Sequence, residues 1–496
     1  MLAMMLSVMS VSVVADDTVR YNCLANWNGH LGSRAATRIG QSDIAYGDMG
    51  WDAERTYHQL VVLVSFVDCD FSWENPQATY HDMFNTPGYN QRDGAGCVAD
   101  YFRDQSNGLF NLQFDVYGPY KTSNSVKSDS PDRNEGHAVF REATMMLMEE
   151  HPEIDFSLYD WDGDGEVEQV VYVYAGYTGN QSTIVEEGYI WPTTGSFSRI
   201  NTPDGHKIAY YTASGELWVN NTSCGIGFIC HEFSHCLGLP DIYPTSTSVS
   251  DASIVDEWDV MDGGTSTNRG WCPPNYSPLE KIIMGWLIPT ELTSDTTIAD
   301  MKPIAEGREA YLIRKTNDEF YLLENRQWRG WDYGLPGRGL VVYHINYNSY
   351  YWQINNVNNV QGEPSYCLLA ADGKTYTDWL NLILESGLRN PYMDTQRRLN
   401  SMILSGAPYP WQNEETSVSQ VTLFDDISLS DIVLHEDGTV SFSFHGLGNA
   451  IKGVKSKKDI KATGVYTLSG VKVRDDGQTE GLPKGVYIVG GQKVVE

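Results

Sequence analysis

The segment His231-Glu232-Phe233-Ser234-His235-Cys236-Leu237-Gly238-Leu239-Pro240-Asp241 constrains this chain more than any other. Ile226, Phe228, Ile229, Phe233 and Leu237 surround it with apolar side chains. A helix built here is therefore buried, and its charged groups need partners. A surface helix with two solvated histidines is the alternative, and these apolar neighbours argue against it. Positions four apart lie one above the other on a helix, so His231 and His235 present two imidazoles to one point. Gly238 suits a left-handed residue that stops the helix, and Pro240 stops it again. The chain can then turn back and offer Asp241 to the same point.

Zinc takes imidazole nitrogens and carboxylate oxygens, and catalytic sites leave one position open. His231, His235 and Asp241 read as a two-His, one-Asp zinc site, with Glu232 placed as general base toward a zinc-bound water. A carboxylate in place of a third imidazole lowers the net charge by one, so that water is less acidic and Glu232 is needed to deprotonate it. Downstream, Trp258-Asp259-Val260-Met261-Asp262-Gly263-Gly264 reads as a tight turn that puts Met261 beneath the site, the floor described for metzincins.

HEFSHCLGLPDIY, then WDVMDGG, then PPNYSPLEKIIMGWL resemble the immune inhibitor A-type metallopeptidases. The likeness is strongest from about residue 57 to 290 and continues more loosely to 445 through FYLLENRQWRGWDYGLPGRGLVVYHINY. It implies a metzincin-like catalytic domain, one catalytic zinc and secreted zinc-dependent endopeptidase activity on protein or peptide substrates. It also implies His231, His235 and Asp241 as metal ligands, Glu232 as base and Met261 as the Met-turn. The little sequence before this region departs from many relatives and speaks against a long folded pro-domain. The competing readings are an adhesive or binding protein with a vestigial metal site, and a zinc amidase acting on non-protein substrates. An intact Glu232 favours the enzyme.

A second metal is expected at Asp160-Trp161-Asp162-Gly163-Asp164-Gly165-Glu166-Val167-Glu168. Asp160, Asp162 and Asp164 occupy positions 1, 3 and 5 of an EF-hand-type loop and Gly165 occupies position 6, but position 12 is Val171. Glu168 is the candidate substitute ligand, and Glu166 offers its carbonyl, which makes a structural calcium site. Two weaker expectations concern the cleft. Ile208–Thr212 is placed where metzincins have an edge strand that pairs with substrate backbone. Tyr276 is the candidate oxyanion support.

Net charge is −31, from 34 basic and 65 acidic side chains, which repels nucleic acid and anionic lipid. The apolar run 2–15 before Asp16-Asp17 reads as a signal peptide, since a bilayer span needs about 20 residues. No other stretch reads as transmembrane. Export permits disulfides among Cys23, Cys69, Cys97, Cys224, Cys230, Cys236, Cys272 and Cys367 without assigning them. Cys230 and Cys236, about 9 Å of helical rise apart, cannot bond to each other, so each is a core residue or pairs elsewhere, with Cys224 or Cys272 as the candidate partner.

Strand and helix patterns alternate in the first half: a buried strand at Leu60–Val67, helices at Ala78–Phe84, Cys97–Phe102 and 134–150, and strands at Phe110–Tyr117 and Val170–Tyr174. The capping box Ser277-Pro278-Leu279-Glu280 starts a helix ending near Trp286. Short strands follow at Tyr311–Arg314, Phe320–Glu324, Gly339–Ile345 and Thr439–Phe444. The expected class is α+β: a metzincin-like catalytic domain with a twisted mixed sheet and an active-site helix, a β-rich sandwich-like domain and a small C-terminal β module. The expected boundaries are 1–15 signal peptide, 16–56 short pro-segment, 57–291 catalytic domain, 292–446 accessory domain, and 447–496 Lys-rich linker and β module. That last segment repeats Gly-Val-Tyr at 464 and 485 and resembles type IX secretion sorting modules, which implies an export machinery as partner.

Overall fold

A computed structural model describes residues 51–127, 136–180, 188–218, 221–386 and 402–446, with the short pieces 465–467, 472–474, 482–483, 486–489 and 492–495. The stretches expected as signal peptide, pro-segment (up to residue 50) and Lys-rich linker, and Cys23, lie outside the described residues. One compact unit takes in the chain to Leu292 and Thr296–His445; a second takes in Thr293–Asp295 and the residues from Gly446 on.

A seven-stranded mixed sheet organises the first half. Its strands are β1 (Thr56–Ser65), β2 (Asn111–Lys121), β3 (Glu166–Val167), β4 (Val170–Tyr177), β5 (Thr193–Asn201), β6 (Lys207–Trp218) and β7 (Thr222–Ser223), in the order β2-β1-β4-β6, with β3, β5 and β7 also on β6. β1 is parallel to β2 and β4, and β4 to β6. β5 and β7 run antiparallel to β6. Successive side chains of a strand point to opposite faces, so the apolar run of β1 feeds two cores. Tyr57, Val61 and Leu63 enter one, Leu60, Val62 and Val64 the other.

Helices cover both faces. On one, α3 (His137–Glu150) lays Val139, Phe140, Ala143 and Leu147 against β4 and β6. Phe140 stacks on Tyr172 with centroids 4.4 Å apart, and Thr144 Oγ1 lies 2.5 Å from the Tyr172 hydroxyl. On the other face lie α1 (Pro76–Asn85), α2 (Val98–Gln105) and α4 (Gly227–Cys236), which carries the histidines. Phe233 of α4 anchors there, 4.6 Å from Phe102 and within 6.5 Å of Phe110, Phe114 and Trp161 by ring centroids.

The capping box at Ser277 forms with both of its hydrogen bonds and opens α5 (Pro278–Ile283). That helix is shorter than expected, because Gly285 turns the chain with φ 73°. Beyond it, β8 (Thr290–Glu291), β10 (Tyr311–Arg314), β11 (Glu319–Arg326), β12 (Gly339–Asn346) and β13 (Tyr366–Leu368) build one sheet. In a second, β9 (Thr296–Met301) joins β16 (Val421–Phe424), β17 (Ile427–Leu434) and β18 (Val440–His445), while β14 (Trp411–Gln412) and β15 (Ser417–Val418) form a short ribbon. β11 has two apolar faces. Tyr321 and Leu323 meet Leu429, Val440 and Phe442 of the second sheet, whereas Phe320 and Leu322 join the core that holds α4. Arg326 ends the strand fully buried, 2.7 Å from both Glu324 and Asp332, and donates to the Asn275 carbonyl at 2.8 Å. His344, on β12, stacks on Tyr321 and lies 3.1 Å from Glu319, a structural position.

In the second unit, β19 (Val465–Thr467) and β21 (Val486–Val489) pair antiparallel, Val465 opposite Val489. Each carries its own hairpin partner, β20 (Lys472–Arg474) and β22 (Gln492–Val495). The two Val-Tyr repeats are thus the central strands of a four-stranded sheet. No helix among the described residues is long and apolar enough to cross a membrane.

Phe233→Ala removes the anchor of the histidine helix and leaves a cavity among four aromatic rings. It should lower the unfolding free energy of the larger unit by about 3–5 kcal/mol, read by chemical denaturation.

Candidate metal centre

The helix α4 starts where the chain is pressed against the turn 263–270. A Cβ on Gly225 would lie 2.3 Å from the Gly270 carbonyl oxygen, and one on Gly227 would lie 2.1 Å from that of Thr265. Only glycine lets the backbones approach this closely. The helix stops at Cys236, and Gly238 takes φ 102°, as the stop signal predicts. The turn returns Asp241 to the histidine face.

Three ligand atoms converge there. His231 Nε2 and His235 Nε2 are 3.2 Å apart, and Asp241 Oδ1 lies 3.2 Å from the first and 3.4 Å from the second. Tetrahedral bonds of about 2.0–2.1 Å separate neighbouring ligands by about 3.3 Å, so the spacing and the nitrogen–oxygen donor set both fit zinc. Their side chains are all but closed to solvent: His231 is 4% exposed, Glu232 2%, His235 0% and Asp241 1%.

Each imidazole is held by its other nitrogen. His231 Nδ1 lies 2.7 Å from the Val260 carbonyl and His235 Nδ1 2.7 Å from that of Leu239. A proton on each Nδ1 leaves both Nε2 atoms as acceptors for a metal. Val260 belongs to the turn 258–264, the expected Met-turn. Met261 is fully buried, its carbonyl accepts from Ile242 N–H at 2.8 Å, and its own N–H donates to Asp259 Oδ1 at 2.8 Å. The turn therefore supports the ligand loop by backbone bonds as well as by position.

Without a cation, protons balance the charge in the centre. Burial pushes the Glu232 carboxyl up to about 8. Burial lowers His231, but Asp241 and Glu232 outweigh it and carry the imidazole to about 9. His235 is lowered by burial. Burial also opposes ionisation of Asp241, yet His235 and His231 hold its carboxyl well below the usual range. The two carboxyl groups thus draw protons onto Glu232 and His231, and a divalent cation at the convergence point would answer the same field in their place.

Glu232 has a partner that nothing in the sequence motif announces. Thr194, on β5, sets its hydroxyl 2.5 Å from the Glu232 carbonyl and 3.1 Å from Oε2. Thr212, on β6, donates to Gln169 Oε1 at 2.6 Å and lies 3.2 Å from that same carbonyl. Tyr243 was missed as well; its ring lies face to face with His231, centroids 6.4 Å apart. Thr194 and Thr212 carry no spacing relation to the motif, so only the folded sheet reveals them, whereas Tyr243 lies two positions beyond Asp241 and was legible as an aromatic close to the ligand turn.

Other candidate residues fall elsewhere. Tyr276 is fully buried beneath α4, its hydroxyl on Ser234 Oγ and its ring against Tyr101 and Trp286. The expected edge strand at Ile208–Thr212 is corrected: β6 is flanked by β3 and β4 on one side and β5 on the other, so its ladder is filled there. Cys69, Cys97, Cys224, Cys230, Cys236, Cys272 and Cys367 are free thiols. Cys230 and Cys236 are core residues, and pairing of either with Cys224 or Cys272 does not occur.

In the acidic loop, one carboxylate oxygen each of Asp160, Asp162 and Glu168 come within 4.8 Å of one another. Glu168 also accepts from the Trp161 and Asp162 N–H groups at 2.7 and 3.1 Å. Asp164 lies outside that group and accepts from Glu166 N–H at 2.8 Å, while the Glu166 carboxylate pairs with Arg199 at 2.7 Å.

Residues 181–284 match the family model of the immune inhibitor A peptidase M6, catalytic domain, a span that contains the histidine helix, Asp241 and the Met-turn. The chain is 22% identical over 268 residues to Immune inhibitor A of Bacillus thuringiensis subsp. alesti, covering 45% of this chain and 38% of that protein. It is also 22% identical over 275 residues to the Pre-pro-metalloprotease PrtV of Vibrio cholerae serotype O1, covering 46% of this chain and 29% of that protein. The matched stretch thus spans well under half the length of these curated relatives. Taken with the convergence of His231, His235 and Asp241, these similarities support a metallopeptidase domain in this chain.

Proposed function

We propose that this chain is an exported zinc-dependent endopeptidase, with His231, His235 and Asp241 as the zinc ligands and Glu232 as the general base. The observation that carries this reading is the approach of three ligand atoms to 3.2–3.4 Å of one another beside a buried carboxylate. When bound, zinc supplies Lewis-acid polarisation of a peptide carbonyl and of the attacking water. The chain's own residues do the rest. Glu232 takes a proton from that water as its oxygen bonds to the carbonyl carbon. It delivers the proton to the departing amine nitrogen as the C–N bond breaks. Thr194 steadies the carboxylate through Oε2. Val260 and Leu239 keep both imidazoles turned toward the ligand point. The apolar shell of α4 excludes bulk water, which strengthens each of these interactions.

The intact base sets this reading apart from a binding module with a vestigial site. Digestion of a peptide library with and without a zinc chelator tests it directly. Cleavage should occur within peptides and stop on chelation. A library left whole in the presence of zinc, together with turnover of amide bonds in non-protein substrates, would make the chain an amidase instead. Glu232→Ala should retain zinc by metal analysis and lose at least about 100-fold in kcat, the lower range for a general base. Activity close to wild type in that variant would remove Glu232 from the reaction.

We also read the acidic loop as a structural calcium site built on Asp160, Asp162 and Glu168. Burial and the neighbouring Asp162 and Asp160 charges push Glu168 up to about 8, the repulsion that a cation in the loop would relieve. Protein stripped of divalent ions and given back zinc alone should melt below protein given zinc and calcium. Equal melting temperatures would argue that no calcium sits in the loop. Export rests on the apolar leader at 2–15 and the C-terminal β module, and the acidic surface suits a soluble protein.

A further inference from the structure

Asp241 brings Oδ1 to 3.2 and 3.4 Å from the two imidazole nitrogens. Its other carboxylate oxygen is answered from far along the chain. Asn355 follows α6 (Ser349–Gln353), after β12, and its side-chain amide grips Asp241 at two points. Asn355 Nδ2 donates to Asp241 Oδ2 at 2.6 Å, and Asp241 N–H donates to Asn355 Oδ1 at 2.7 Å. Asn355 is itself buried and holds φ 53°, a left-handed backbone that asparagine accepts more readily than most residues.

The grip is one rung of a longer strap. Thr245 Oγ1 donates to the Asn355 carbonyl at 3.0 Å, and Asn358 Nδ2 donates to that of Ile242 at 2.7 Å. Ser246 N–H donates to Asn359 Oδ1 at 2.8 Å, and Ser250 N–H to Gln361 Oε1 at 2.6 Å. Residues 355–361 thus lie along 241–250, and Asn355 is the rung that touches Asp241 itself.

We propose that Asn355 is a positioning residue for the third metal ligand, holding Asp241 by Oδ2 and by its backbone N–H so that Oδ1 is presented to the metal. The inference rests on the zinc reading above. The terminal torsion of an aspartate is broad and two-fold, so an unrestrained carboxylate rotates freely between one-oxygen and two-oxygen presentation. A donor fixed on one oxygen selects the first. A buried oxygen left without a donor would also carry its desolvation cost into the metal-bound state. Asn355 lies outside the residues 181–284 that match the peptidase family model. The centre is therefore completed by the region following β12.

Asn355→Gly tests this, because glycine keeps the left-handed backbone and removes only the amide. In the full chain, zinc affinity by chelator competition should fall by about 10- to 100-fold. The visible spectrum of the cobalt-substituted protein should change, since it reports ligand geometry. Asn359→Ala, which cuts the strap away from Asp241, should leave zinc affinity and the cobalt spectrum as in wild type. A purely structural strap predicts the opposite pattern, lower melting temperatures for both variants with zinc affinity unmoved, and that result would overturn the proposal. Should Asn355→Gly not fold, Asn355→Asp decides: it keeps the acceptor but sets a carboxylate against Asp241 Oδ2, so wild-type zinc affinity there also overturns it. Asp241→Ala separates the two levels. Zinc affinity unchanged in Asp241→Ala means that the metal reading has failed. Loosened zinc in Asp241→Ala with wild-type zinc in Asn355→Gly means that the positioning role alone has failed.

Discussion

The core around α4 answers to one constraint: a helix that carries two imidazoles and a carboxylate into an apolar core must have each polar atom met. Each is met from a different part of the chain. His231 is held by the Met-turn, His235 by the end of its own loop, Glu232 by Thr194 on β5, and Asp241 by Asn355. An unanswered buried polar atom costs about 1–3 kcal/mol, more for a charged one. The four contacts thus tie sheet, turn and the region after β12 to one small volume.

The same requirement accounts for how the accessory sheet meets the first half. β11 is apolar on both faces, and alternate residues serve two cores, Leu322 with the histidine helix and Leu323 with the second β-sheet. A strand used this way cannot be peeled from either side without exposing apolar surface. Its charged end follows the rule for buried ions. Arg326 is tolerated because Glu324, Asp332 and the Asn275 carbonyl surround it. Asp332 also accepts from Asn275 N–H at 2.9 Å, next to the segment that leads into α5.

Much of the local structure was legible from pattern. The apolar run at 60–67 marks β1, the capping box at Ser277 marks α5, and Gly238 marks the end of α4. Each is a signal set within a few residues by backbone sterics or by a short hydrogen bond. β5 was not anticipated, although it touches Glu232, because Thr193–Asn201 has no sustained apolar alternation. The edge role expected for Ile208–Thr212 failed for a related reason: strand pattern tells which residues are buried, not which strand lies beside which.

The sequence by itself determined the donor types of His231, His235 and Asp241, the spacing of the histidines on the helix and the turn signals that return Asp241, since all of these lie within eleven residues. Tertiary structure decided which threonine meets Glu232, and that Asn355, 114 positions along the chain, reaches Asp241. The physical reason is reach. A helix turn fixes neighbours through covalent geometry, whereas a contact between distant segments exists only once two packed cores have brought the chain back on itself.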